Sequence, residues 1–237
     1  MSKVIVIVGY GPGTATAVAE RFAAEGFAIA PIARNEERLA AGVAALSARG
    51  ATAFGFTANA ADPESIRTAI RSVRSQMGSI GVLHWNVYAG LDAGDLLTAD
   101  AASVRAAFDA TGVGLLAATA EALPDLKQSG SGTIFVSNGA FGEVSSEMDE
   151  TAVNQHAMGI AVSCAAKNKL VGLLAQRLKG DGIYVGEVMV YGTIKGTPSG
   201  GSNSIDPALI AEEYWRLYQT RSETRHRYPP LKTTIGG

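Results

Sequence analysis

The sequence predicts an α/β domain built on a doubly wound parallel sheet, and three observations lead there. A β-branched run, Val4-Ile5-Val6-Ile7-Val8, breaks into glycines and re-emerges as the stripe of a helix. Strand-length apolar runs then alternate with helix-length segments through most of the chain. The stretches between successive runs are long enough to be helical crossovers, which parallel strands require.

Taken in order, Val4 to Val8 reads as a buried strand because β-branched residues fill both faces of such a strand. Ala15, Val18, Ala19 and Phe22 recur at i, i+3, i+4 and i+7, the pattern of a helix packed on a sheet. Gly9, Gly11, Gly13 and Thr14 lie at the turn between them. Bare backbone there allows close approach of a ligand, and N–H groups at a helix N-terminus favour phosphate. Residues 27–33 form a second strand despite Pro31, and Arg34 opens a charged helix. Residues 53–57 form a third strand. Asp62 and Pro63 supply the N-cap and first position of a helix running to Met77.

Residues 81–85 form the fourth strand, followed by an alanine-rich helix over 101–123 that Pro124 is expected to end. A fifth strand at 132–137, a second long helix over 154–179 and a sixth strand at 184–190 complete the alternation. Residues 193–206, rich in Gly, Ser and Thr, are expected to be a mobile loop over the site, before a final helix at 207–221. No repeat or linker interrupts the pattern, so residues 1–237 are expected to be one domain.

Composition narrows the partners. With 20 basic and 22 acidic residues among 237, neither nucleic acid nor an anionic membrane is expected, which leaves a small-molecule substrate. The single Cys164 has no partner for an internal disulfide, and the apolar run at the start is too short for a signal peptide or a membrane span, so the reading is cytoplasmic. Three histidines and one cysteine show no metal-site spacing.

At this point the residues resemble the short-chain dehydrogenase/reductase family over nearly the whole chain. Val8-Gly9-Tyr10-Gly11-Pro12-Gly13-Thr14-Ala15 is similar to its first turn, T-G-x-x-x-G-x-G, keeping the first two glycines and ending in alanine. Asn59 occupies the place of the adenine-contacting Asp, and Asn86-Val87-Tyr88 that of the N-A-G after strand four. Tyr191-Gly192 resembles the P-G turn after strand six. The resemblance implies a Rossmann-like fold, a dinucleotide held by Gly9, Gly11, Gly13, Thr14, Arg34, Asn59 and Asn86, and a homodimer or homotetramer paired through the two long helices. An acidic residue closing the second strand would bind the NAD ribose. Ala33 stands there with Arg34 after it, so NADP(H) is favoured over NAD(H).

The resemblance also implies a proton relay of Tyr, Lys, Ser and Asn, and here the chain departs from it. A gapless alignment, which preserves the core stripe of the helix, puts Ile160 and Cys164 at the tyrosine and lysine positions. A gapped one puts Ser163 and Lys167 there. The serine position falls on Gly139 or Ala140, and the asparagine position on Thr111. A serine hydroxyl is a far poorer acid than a phenol. The catalytic candidates are therefore Lys167, Ser163 and Tyr191, with His156, Tyr88 and Ser137 as further possible acids. Three functions follow: an NADP(H)-dependent oxidoreductase acting on a carbonyl or alcohol, a non-catalytic dinucleotide-binding or scaffold protein of the same fold, or a different, lyase- or isomerase-like activity on that fold.

Overall fold

The computed structural model describes residues 3–230. In chain order its elements are β1 (Val4–Val8), α1 (Thr14–Ala24), β2 (Ala28–Ala33), α2 (Glu36–Ala48), β3 (Phe56–Thr57), α3 (Pro63–Met77) and β4 (Ile80–Trp85). Then come α4 (Ala101–Phe108), a π-helical turn (Asp109–Val113), α5 (Gly114–Gln128), β5 (Thr133–Gly139), α6 (Ser146–Asn154), α7 (Met158–Leu178), β6 (Tyr184–Val190), α8 (Pro207–Thr220) and β7 (Arg225–Tyr228). The strands form one seven-stranded parallel sheet in the order β3-β2-β1-β4-β5-β6-β7.

Strand alternation divides the core between the two faces of this sheet. Val4, Val6 and Val8 pack with Ile66 and Ile70 of α3, Leu115 and Ala118 of α5 and Val171 of α7. Ile5 and Ile7 pack on the other face with Val18 and Phe22 of α1 and Ile210, Tyr214 and Leu217 of α8. Each of the Val, Ile, Leu and Phe side chains among these contributes about 1.5–3 kcal/mol when fully buried. The segments Ala101–Gln128 and Met158–Asp181 are long and apolar enough to cross a membrane by length and composition. Both nonetheless lie against the sheet.

Several expectations need correction. The third strand shrinks to Phe56–Thr57 plus one bridge between Ile29 and Ala53. Ile29 and Ala33 both turn their backbone groups toward β3, exchanging bonds with Thr52, Phe54 and Ala58. Pro31, between them, faces the same way without an N–H, so the ladder fails there. Pro124 does not end its helix, because α5 continues to Gln128. Pro124 and Ala120 are both exposed, so water can serve the Ala120 carbonyl that loses its donor. Asp125, 5% exposed, then anchors the last turn to Arg74 of α3 at 2.7 Å.

The second long helix is two helices. Ser145 caps α6 by accepting from the Met148 N–H, and the chain reverses at His156, whose φ is 49°. α7 starts only at Met158, where Gly159 lies so close to the Gly90 and Ala93 carbonyls that a Cβ would stand 2.6 Å from each. The edge strand β7 has a charged, non-alternating sequence that gave no strand signal.

Candidate functional site

The strand order reverses between β1 and β4, and the carboxyl ends of these strands are where open α/β sheets bind ligands. The glycine turn stands at this point. Gly9 has φ 81°, and a Cβ on it would lie 2.8 Å from the Asn86 carbonyl oxygen. Asn86 braces the turn, accepting nothing from it but donating its side-chain N–H to the Gly9 carbonyl at 3.2 Å and its backbone N–H to that of Val8 at 2.8 Å. The space beside Gly11 is open to 4 Å. Gly13, with φ 89°, caps α1 without a side-chain bond, and the first turn, beginning at Thr14, holds no acidic residue. An uncapped, uncharged helix start beside an open glycine fits a dinucleotide's phosphates.

Arg34 is exposed at the end of β2, and its side chain makes no hydrogen bond or ion pair among the described residues. Asn59 is exposed too, with its Oδ1 accepting from the Ala61 N–H at 3.1 Å. The loop expected to be mobile lies over the glycine turn: a Cβ on Gly13 would be 2.9 Å from Thr197 Cγ2. That loop is tied by its own bonds, Thr193 Oγ1 to Ser204 Oγ at 2.7 Å and the Ile205 N–H to the Thr193 carbonyl at 2.9 Å.

Lys167 is the centre of the second cluster. It is 0% exposed, and its Nζ donates to the carbonyl of Ser137 on β5 at 2.8 Å and of Val87 after β4 at 3.1 Å. Burial pushes its pKa down, while the facing Cys164 and Glu187 push it back up. The Tyr88 ring covers it, with the ammonium 5.1 Å from the ring centroid. Tyr88 as a whole residue is 51% exposed, and its hydroxyl stands against Gly139. A Cβ on Gly139 would be 2.8 Å from that hydroxyl. Burial pushes the phenol's pKa up, and Cys164 adds to the shift.

The other candidates are dispersed. Ser163, one helical turn before Lys167, is 1% exposed, and its Oγ has no partner among the described residues. The Tyr191 hydroxyl donates to Met189 Sδ at 3.3 Å and its ring faces Arg227, so its contacts lie away from Lys167. His156 is exposed in the turn before α7. Thr111 sits on the π turn and donates to the Ala107 carbonyl at 2.7 Å. Ile160 and Cys164 are buried.

Ser137 sends its hydroxyl to the opposite face, where His84 Nε2 and the Tyr214 hydroxyl each lie 2.9 Å from it. That buried chain was missed in the sequence, as was Glu187. Glu187, 0% exposed, accepts from Asn138 Nδ2 at 2.6 Å and Asn168 Nδ2 at 2.9 Å. A glutamate and a histidine inside apolar strand runs were the available signals.

Residues 3–203 match the sequence model of the family described as short chain dehydrogenase. Among curated relatives, the 3-oxoacyl-[acyl-carrier-protein] reductase FabG of Staphylococcus aureus is 34% identical over 98 residues, 41% of this chain and 39% of that protein. The short-chain reductase protein NovJ of Streptomyces niveus is 35% identical over 81 residues, 34% of this chain and 31% of that protein. The chain thus aligns with well under half the length of these relatives. Among solved structures, an alcohol dehydrogenase of Thermococcus sibiricus complexed with 5-hydroxy-NADP superposes with a TM-score of 0.81 at 20% identity, over 96% of this chain and 95% of that one. L-sorbose reductase of Gluconobacter frateurii, complexed with NADPH and L-sorbose, superposes with a TM-score of 0.82 at 20% identity, over 95% and 94% of the two chains. At that identity the likeness is one of fold.

Proposed function

The chain belongs to the short-chain dehydrogenase family, and from that premise we propose that it is an NADP(H)-dependent oxidoreductase that interconverts a carbonyl and an alcohol. The observation that carries the reading is Lys167: a lysine held without solvent at the carboxyl ends of β4 and β5, bonded to the carbonyl of the residue that follows Asn86. Two carbonyls fix its ammonium, and an oriented cation in a dry site stabilises developing negative charge far better than one in water. A bound nicotinamide would supply or accept the hydride.

The chain's own residues do the remainder. The open face of Gly11 and the first turn of α1 receive the phosphates, Asn86 holds the turn in shape, and Asn59 offers its amide to the adenine side. Arg34 supplies a guanidinium at the end of β2, where a 2′-phosphate has a partner and no carboxylate repels it. The loop 193–206 opens to admit the dinucleotide and returns over Gly13, closing the site to water. The reading includes a cytoplasmic protein that self-associates through α4, α5 and α7.

Calorimetry of NADPH and NADH binding, with Arg34→Ala beside the unaltered protein, tests this. Tight NADPH binding that weakens about tenfold or more in the variant is expected, for a lost charge-assisted pair of about 1.5–3 kcal/mol. Binding of neither dinucleotide by a folded protein would overturn the oxidoreductase reading and leave the scaffold function.

A further inference from the structure

We propose that Lys195, at the tip of a turn in the loop 193–206, is the cation that binds the pyrophosphate of the dinucleotide, while Arg34 serves the 2′-phosphate; this rests on the dinucleotide reading above. After β6 ends at Val190 the chain folds back over the start of α1. Ile194 and Ile205 bridge to each other and pack on the core that the sheet shares with α1 and α8, so the loop is fastened at both ends. The Thr197 N–H and hydroxyl both donate to the Ile194 carbonyl, at 3.3 and 2.7 Å. Lys195 and Gly196 are the central residues of the turn this closes, and the φ of 84° at Gly196 suits the second of those positions.

This turn meets the glycine turn at Gly13. A Cβ on Gly13 would lie 2.9 Å from Thr197 Cγ2, 3.4 Å from Ile194 Cγ2 and 3.9 Å from the Lys195 carbonyl oxygen. Position 13 therefore has a second reason to be glycine besides its φ of 89°: the loop closes on it. The space beside Gly11 stays open under that closure. Lys195 starts next to the first turn of α1, and its flexible four-carbon stem can carry the ammonium to a phosphate bound there.

The charges nearby single out this residue. Residues 8–17 hold no lysine or arginine, and Arg21, the first basic residue of α1, is taken up by Glu25 at 2.6 Å and Glu212 at 2.8 Å. Lys195 is exposed, and its side chain makes no hydrogen bond or ion pair among the described residues. A pyrophosphate brings two negative charges, against which the start of a helix offers only about half a positive one. A full positive charge on the loop supplies what the helix lacks.

Closure and binding then become one event. A pyrophosphate held between α1 and Lys195 ties the loop to the glycine turn, so the bound dinucleotide favours the closed loop through a contact that the open loop cannot make. Arg34, at the end of β2 and outside the loop, contributes to affinity without that coupling.

The test compares Lys195→Gln, Lys195→Arg and Arg34→Ala with the unaltered protein. Calorimetry should show NADPH binding weakened about fivefold or more by Lys195→Gln and kept within about twofold by Lys195→Arg, which retains the charge. Phosphorus NMR of bound NADPH then locates the contact, because the pyrophosphate and the 2′-phosphate give separate resonances. Lys195→Gln should move the pyrophosphate resonances and leave that of the 2′-phosphate in place, and Arg34→Ala should do the reverse. An affinity unchanged in Lys195→Gln, or a loss accompanied by movement of the 2′-phosphate resonance alone, overturns the proposal. Failure of the unaltered, folded protein to bind either dinucleotide is the separate failure of the underlying reading, seen before any variant is compared.

Discussion

His84 is where acid acts on this protein. It is 0% exposed on β4, its Nε2 meets Ser137 Oγ at 2.9 Å, and its Nδ1 has no partner among the described residues. Burial pulls its pKa from 6.5 down to about 3, so the folded protein holds the ring neutral. The unfolded chain takes up a proton near the ordinary value. The stability this contributes is therefore complete above pH 6.5 and is lost as pH falls toward 3, by about 4–5 kcal/mol in all at ~1.4 kcal/mol per unit. Glu187 runs the other way: burial raises its pKa, so its share is complete at low pH and lost as pH rises through the raised value. The urea midpoint of the unaltered protein should drop more steeply between pH 7 and pH 4 than that of His84→Gln. Parallel curves would clear His84. Neither residue's environment could be read locally, because Ser137, Tyr214, Asn138 and Asn168 reach them from other strands and helices.

The π turn between α4 and α5 shows the same limit one level up. Its wide turn brings Gly114 against the loop after β3, so a Cβ there would lie 2.1 Å from the Ala60 carbonyl oxygen and 3.0 Å from Trp85. Gly114→Ala must push α5 off the sheet and should cost about 1–3 kcal/mol in urea unfolding. Gly112→Ala, within the same turn, would meet only Leu170 Cδ1 at 3.8 Å. It should be neutral or stabilising by up to about 1 kcal/mol, as alanine restricts the unfolded chain. Equal effects at both positions would mean that helix propensity, not the contact, decides. Elements whose periodicity is set by the sheet were legible: β1, α3, β4 and β6 stand within a residue of their expected bounds, and the four residues of the expected stripe on α1 are all buried. Those fixed by a neighbour were not. β3 is cut short by Pro31 of the adjoining strand, α6 is separated from α7 by a three-residue turn around the left-handed His156, and β7 forms because β6 offers it an edge. The site divides likewise: the glycine turn and Arg34 follow from spacing along the chain, whereas the fit of Tyr88 against Gly139 and Lys167 joins three separate elements.

At the scale of the whole molecule, the sheet face that α5 and α7 cover leaves apolar side chains on their outer surfaces. Phe108 of α4 is 40% exposed, Val113 45%, Leu116 of α5 43% and Leu173 of α7 55%. α7 packs directly on the π turn, where Leu170 Cδ1 would stand 3.8 Å from a Cβ on Gly112. From these exposed apolar side chains we infer a contact with a second copy of the chain, which can meet the same residues about a two-fold axis. Light scattering at micromolar concentration should therefore give at least twice the mass of one chain. Leu116→Glu with Leu173→Glu should lower it to that of one chain, because a carboxylate desolvated at such a contact costs several kcal/mol. The site is built within one chain, from the ends of β1, β2, β4 and β5 and from α7, so the dissociated variant should still bind NADPH. A variant that stays assembled would move the interface elsewhere, while one that dissociates and loses the dinucleotide together would show that pairing holds α7, and with it Lys167, in place.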